Sequence, residues 1–132
     1  MAVRKLSRNN KRLEKNGISH EKYMELLYFC RQYGEKKSKL KEMTFTKAVD
    51  YTATGGRGGG SSTEKQALLR EELKSEIELI EQTALETAPD IYKMLLKNVT
   101  EGVTYIYMDV PCGKEYFYKK RREFFYRLSL KR

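Results

Sequence analysis

Over residues 19–33 the apolar positions Tyr23, Leu26, Leu27 and Cys30 recur at spacings of three and four, the repeat of one helix face. Ser19 is placed to accept hydrogen bonds from the exposed N–H groups of the first turn, and Glu21 suits the positive end of the helix dipole. This helix is expected to reach about Tyr33 or beyond, where Gly34 ends or weakens it. The most regular stripe is Leu69, Leu73, Ile77, Ile80 and Ala84, with Thr63 or Ser62 as its cap. Glu71, Glu72, Glu76, Glu78 and Glu81 fall mostly off it and read as a solvated face rather than a catalytic carboxylate set. The stripe suits an intramolecular core, with a homo-oligomer seam through helix 64–86 as its other use. Pro89 ends that helix and starts another, Asp90 favouring its dipole, and Ile91, Met94, Leu95 and Val99 form a second apolar face that exits through Gly102.

In the last third, Thr104 is expected to cap a short helix over 105–109, Pro111-Cys112-Gly113 breaks it, and a longer basic helix follows over about 114–130. Short helix, tight turn and long basic helix make a helix-turn-helix pattern. On a 100° wheel Phe117, Phe124, Phe125 and Leu128 share one arc, and Glu115, Lys119, Arg122 and Tyr126 lie opposite. One face packs and the other is free to read a groove. Lys114, Glu115, Lys119 and Arg122 are the candidate base-reading residues, with Tyr118 at the border. Lys120, Arg127, Lys131 and Arg132 are the candidate phosphate contacts, as is Arg121. Arg121 falls inside the apolar arc, so its guanidinium must snorkel out or pair with a carboxylate.

The fold class that follows is all-α, a small helical bundle with a C-terminal helix-turn-helix and a Gly-rich linker. Residues 1–51 hold a basic arm and an N-terminal helical segment, and 64–132 the bundle. Residues 52–63, TATGGRGGGSST, are the flexible linker between them. A phosphate-binding loop there would need a lysine before Ser or Thr after its last glycine, and Gly60 is followed by Ser61-Ser62. An RGG-type RNA element at Arg57 lacks the repetition on which such tracts depend.

Charge sharpens this picture. Among 132 residues, 27 Lys+Arg stand against 18 Asp+Glu, a formal net charge of +9. Residues 1–51 carry 13 basic and 6 acidic groups, 62–90 carry 3 and 8, and 91–132 carry 10 and 4. Two basic ends flanking an acidic middle point to a polyanion partner, most often nucleic acid, because each cation that meets a phosphate releases counterions, and the helix-turn-helix pattern makes that partner double-stranded DNA. No apolar run approaches the roughly 20 residues of a membrane span, and no apolar stretch follows the cationic N-terminus as in a secretory signal. Cys30 and Cys112 read as reduced thiols of a cytosolic protein, and a single histidine, His20, leaves no triad or zinc pattern. No catalytic, cofactor-binding or metal-binding constellation can be assembled, so a binding protein is expected rather than an enzyme.

At Val99-Thr100-Glu101-Gly102, Thr104-Tyr105, Val110-Pro111, Phe117-Tyr118 and Arg121-Arg122-Glu123-Phe124-Phe125 with Leu128, the chain resembles the C-terminal part of the ArpU/RinA-type phage transcriptional regulators. The resemblance covers about the last 45 residues. It implies a sigma-factor region 4-like helix-turn-helix, a role in late-gene transcription of phages or prophages, a bacterial cytoplasmic location and contact with host RNA polymerase. Cys112-Gly113 departs from the small hydroxyl residue that opens the family's recognition helix, and the Gly-rich linker is a further departure. Two rival readings are a small terminase-like packaging protein, which would form rings, and a phage protein that inhibits a host nucleic-acid enzyme, an anti-CRISPR for example.

Overall fold

The computed structural model describes residues 17–52 and 60–132, with side chains for 17–43 and 63–132. Those residues form five α-helices, α1 (His20–Arg31), α2 (Tyr33–Thr52), α3 (Gly60–Thr87), α4 (Tyr92–Glu101) and α5 (Lys114–Lys131), with one 3-10 turn at Tyr105–Tyr107 and no strand. The all-helical bundle is as the periodicity predicts. The arm expected over 1–17, apart from Gly17, and the linker centre, 53–59, lie outside the described residues.

α1 starts where the sequence signals it. Ser19 Oγ accepts from the Lys22 N–H at 3.1 Å, and Gly17 precedes it at φ 87°, a conformation in which glycine avoids the Cβ clash. Ile18, just before the cap, is buried in the same core as Tyr23, the pairing that fixes a chain's entry angle into a helix. The buried face is Tyr23, Leu26, Phe29 and Cys30. Phe29 takes the place expected for Leu27, which is only half-buried. Gly34 neither ends nor interrupts the helix. The break falls at Gln32, whose N–H bonds to the Phe29 carbonyl at 3.3 Å, and Gly34 lies in the first turn of α2.

α2 and α3 run side by side, tied by the Tyr33 hydroxyl donating to Glu81 Oε2 at 2.8 Å and by a Lys36–Glu76 ion pair. α3 reaches further in both directions than the expected 64–86. Ser62 and Thr63 therefore lie inside it and do not cap it, and the helical ends at Thr52 and Gly60 enter the stretch expected as linker. Its stripe is buried at Leu73, Ile77, Ile80 and Ala84, and exposed at Leu69. Thr83 and Thr87 are buried on the same helix, their hydroxyls donating to the carbonyls of Leu79 and Thr83 at 2.6 and 2.7 Å, which removes the cost of burying them.

Pro89 and Asp90 occupy the turn before α4 rather than its first helical turn. α4 buries Leu95, Asn98, Val99 and Thr100 and ends at Gly102, left-handed at φ 77°, whose N–H reaches the Asn98 carbonyl. Of the expected helix over 105–109 only the 3-10 turn forms, and Thr104 makes no side-chain cap bond. Pro111 disfavours helical backbone at Val110, and Tyr105 is drawn inward: its hydroxyl donates to the Cys112 carbonyl at 2.5 Å and its ring lies 5.6 Å from that of Phe117. The α-helix upstream of α5 is thus α4, with residues 102–113 between them, and not a short helix ending at a tight turn.

α5 buries Phe117, Phe124, Phe125 and Leu128, all four expected, against α1 and α3. Phe125 sits edge-on to Tyr23 at 5.0 Å and to Phe124 at 5.2 Å, a favoured aromatic geometry. Residues on both sides of the glycine-rich stretch thus share one core, Ile18 to Cys30 with Ile80 to Leu128.

Candidate nucleic-acid interface

Helical spacing and the buried apolar side fix what α5 offers to solvent. Glu115, Lys119 and Tyr126 are exposed and Arg122 is half-buried, all on the side away from the core, as the wheel predicts. A neighbouring row on the same face holds Tyr116, Lys120, Glu123 and Arg127. Glu123 is shared there, taking Lys120 Nζ at 3.3 Å and Arg127 Nη2 at 3.4 Å. Lys120 also stands 5.6 Å from the Tyr116 ring centroid, and the Tyr116 hydroxyl donates to Asp90 Oδ2 at 3.2 Å. These partners hold the row in place but leave its charge positive, two cations to one carboxylate. Such half-exposed pairs are worth about 0–1 kcal/mol each, little enough for a phosphate to displace.

The remaining candidates separate by position. Lys114 is exposed at the first turn of α5, and neither it nor Lys119 meets a carboxylate among the described residues. Tyr118 is half-buried with its ring edge on Phe117 at 5.5 Å, so it belongs to the core margin. Lys131 and Arg132 are turned to the protein itself. Lys131 Nζ reaches Glu86 at 2.7 Å, while Arg132 lies 3.5 Å from Glu25 and 3.9 Å from the Phe29 ring centroid. These pairs join the end of α5 to α3 and α1 and are as exposed as those of Glu123, so a phosphate can displace them as readily.

Arg121 takes neither of the two expected courses. Its Nε donates to Asn98 Oδ1 at 2.7 Å and its Nη2 to the Tyr23 hydroxyl at 2.9 Å, while the guanidinium lies 4.9 Å from the Phe125 ring centroid. Asn98 Nδ2 in turn donates to the Val103 carbonyl at 2.9 Å. One cation thus joins α1, α4 and α5 and fixes the loop that leads to α5, which sets the orientation of the cationic face. It is a positioning residue rather than a phosphate contact.

Two further pairs of exposed residues lie upstream of α5 in the chain. Lys93 and Lys97 are exposed on α4, and Ile106 and Tyr107 are exposed on the 3-10 turn. The lysines had a signal, since they fall off the Ile91–Leu95–Val99 face; the turn had none, because its residues read as a helix. Cys30 is a neutral core thiol, its pKa pushed up from 9.0 to about 12 by burial against the opposing pull of nearby arginines and Lys36. Cys112 is raised too, by desolvation and then by Asp90, so neither thiol is activated for nucleophilic chemistry.

No helix among the described residues is long and apolar enough to cross a membrane. Comparison with family models, with curated proteins and with solved structures gives no match.

Proposed function

We propose that this protein binds double-stranded DNA through the solvent face of α5. The observation that carries this reading is the contrast between the two sides of one helix. Phe117, Phe124, Phe125 and Leu128 are fully buried, while Lys119, Lys120, Arg122 and Arg127 share the other side with Glu115 and Glu123. A rigid helix with a cationic, tyrosine-bearing face suits a groove, in which phosphate contacts give affinity and side chains near the helix start reach base edges. A role at phage late promoters is the part of this reading that the resemblance of the last 45 residues to ArpU/RinA-type regulators supports. In such a role the acidic outer side of α3, with Glu71, Glu72 and Glu78 exposed, is the surface left for RNA polymerase or a second copy.

The test is binding to a short random-sequence duplex at 50 and 200 mM salt. Four or five phosphate contacts give an affinity loss of about 10²-fold or more across that range. The Lys120→Ala/Arg127→Ala variant, at two of the candidate phosphate contacts, is expected to bind more weakly and with a log–log salt slope smaller by about 2. No binding at 50 mM salt, or an unchanged variant, overturns the reading and shifts the assignment to inhibition of a host nucleic-acid enzyme by protein contact.

A further inference from the structure

The segment 114–132 carries eight basic residues and two acidic ones, and the two carboxylates are placed differently. Glu115 is in the first turn of α5, where the positive end of the helix dipole favours an acid. Glu123 is in the middle of the helix, where the dipole offers it nothing. Its neighbours along the helix surface are both cations, Lys120 three residues before and Arg127 four after, the two spacings that bring side chains of one helix together. Each takes a different carboxylate oxygen: Oε2 lies 3.3 Å from Lys120 Nζ and Oε1 3.4 Å from Arg127 Nη2. Tyr116 closes the row, its ring centroid 5.6 Å from Lys120 Nζ and its hydroxyl donating to Asp90. The side chains of Lys120, Glu123 and Arg127 are 23%, 36% and 42% exposed, so the carboxylate is open to exchange with an anion from solvent. Exposed pairs of this kind are weak stabilisers of a helix. What the arrangement does achieve is to give two cations the partner that a phosphate would be: one charged group presenting an acceptor oxygen to each.

We propose that Glu123 is a built-in competitor for phosphate: it occupies Lys120 and Arg127 in the free protein, and the phosphates of a duplex reach these two cations only by displacing it. This rests on the proposed DNA-binding role of α5 and adds to it what holds that binding in check. Tethered one turn from each cation, the carboxylate competes at a high effective concentration. It acts against phosphate contacts, which every duplex offers, and not against base-edge contacts, so it works as a repulsive element against binding that is not specific.

The experiment measures binding of the full chain to a fluorescent random-sequence duplex of about 25 base pairs, by anisotropy at several salt concentrations, for the wild type, Glu123→Gln, Glu78→Gln, Lys120→Ala/Arg127→Ala and the triple variant that joins the first and last of these. Glu123→Gln keeps the shape of the side chain at a surface position and should melt close to the wild-type temperature. It is expected to bind about tenfold more tightly at low salt, with a log–log salt slope steeper by about 1. Glu78→Gln makes the same change of net charge on the exposed side of α3 and should bind as the wild type does. In the Lys120→Ala/Arg127→Ala background the gain from Glu123→Gln should fall to about twofold or less, because the cations it frees are gone. An equal gain from Glu78→Gln overturns the proposal in favour of net charge, and an undiminished gain in the triple variant overturns it in favour of plain repulsion. Weaker binding by Glu123→Gln also overturns it, by making Glu123 the residue that orients its two cations for phosphate. In each of those cases the α5 reading stands, whereas a wild-type protein that binds no duplex removes both proposals.

Discussion

The α2/α3 hairpin and the bundle around α5 are both helical, yet they are held by different means. In the bundle, aromatic rings fill the interior and Phe117, Phe124 and Phe125 are fully buried. In the hairpin, burial fades along α3 toward its N-terminus: Ile80 is 0% exposed, Ile77 6%, Leu73 7% and Leu69 37%, and the contacts to α2 include a tyrosine–glutamate hydrogen bond and one ion pair. The two regions also differ in sign, α3 acidic and α5 basic. A regular stripe is therefore not a measure of how firmly a helix is held. What counts is what lies opposite it.

The largest test of this contrast is Phe124→Ala. It is expected to cost about 3–5 kcal/mol in urea denaturation, whereas Leu69→Ala costs about 1 kcal/mol or less; equal losses would erase the distinction. Arg121→Met comes next, at about 1–3 kcal/mol, because Asn98 and Tyr23 lose a charged donor while the aliphatic bulk stays. Gly102→Ala follows at about 1–2 kcal/mol from the left-handed backbone. A Cβ there also meets the Arg31 guanidinium at 2.6 Å, so Arg31→Ala as background should recover part of the loss and not the backbone share.

The bundle also carries a pH dependence. The Cys30 thiol sits at 9.0 ordinarily and at about 12 in the fold, so its contribution is complete below pH 9 and is lost as pH rises toward 12. Tyr33, raised by desolvation and by Glu81, acts in the same direction at higher pH. Denaturant midpoints should fall above pH 9 by up to about 1 kcal/mol per pH unit, and Cys30→Ala, less stable at neutral pH, should show a flatter alkaline decline. The smallest effect is Lys36→Met, about 0.5–1 kcal/mol globally. Its mark is faster amide exchange in α2 with α5 unchanged, and equal acceleration in both would argue that hairpin and bundle open as one unit.

Helix positions were legible wherever a stripe was backed by a cap or a breaker, as at Ser19, Gly102 and the Phe117–Leu128 face. Wheel geometry sufficed to place Lys119 and Arg122 toward solvent. Three features were not legible, and each for a tertiary reason. The turn at Tyr105–Tyr107 is set by the reach of Tyr105 to Cys112 and Phe117, which local propensity does not encode. Arg121 is satisfied by an amide and a hydroxyl 23 and 98 residues away, partners that no spacing rule names. Lys131 and Arg132 pair with Glu86 and Glu25, carboxylates that lie within reach only once the bundle closes.

The central claim is that α5 meets nucleic acid with the face set by its buried side. The most direct measurement is a residue-resolved NMR titration of the isotopically labelled full chain with a short duplex at low salt. The account predicts shifts concentrated at Glu115, Lys119, Arg122 and Tyr126, with Glu71 and Glu78 on α3 unmoved. Shifts centred on α3, or none beyond those produced by salt alone, would contradict it.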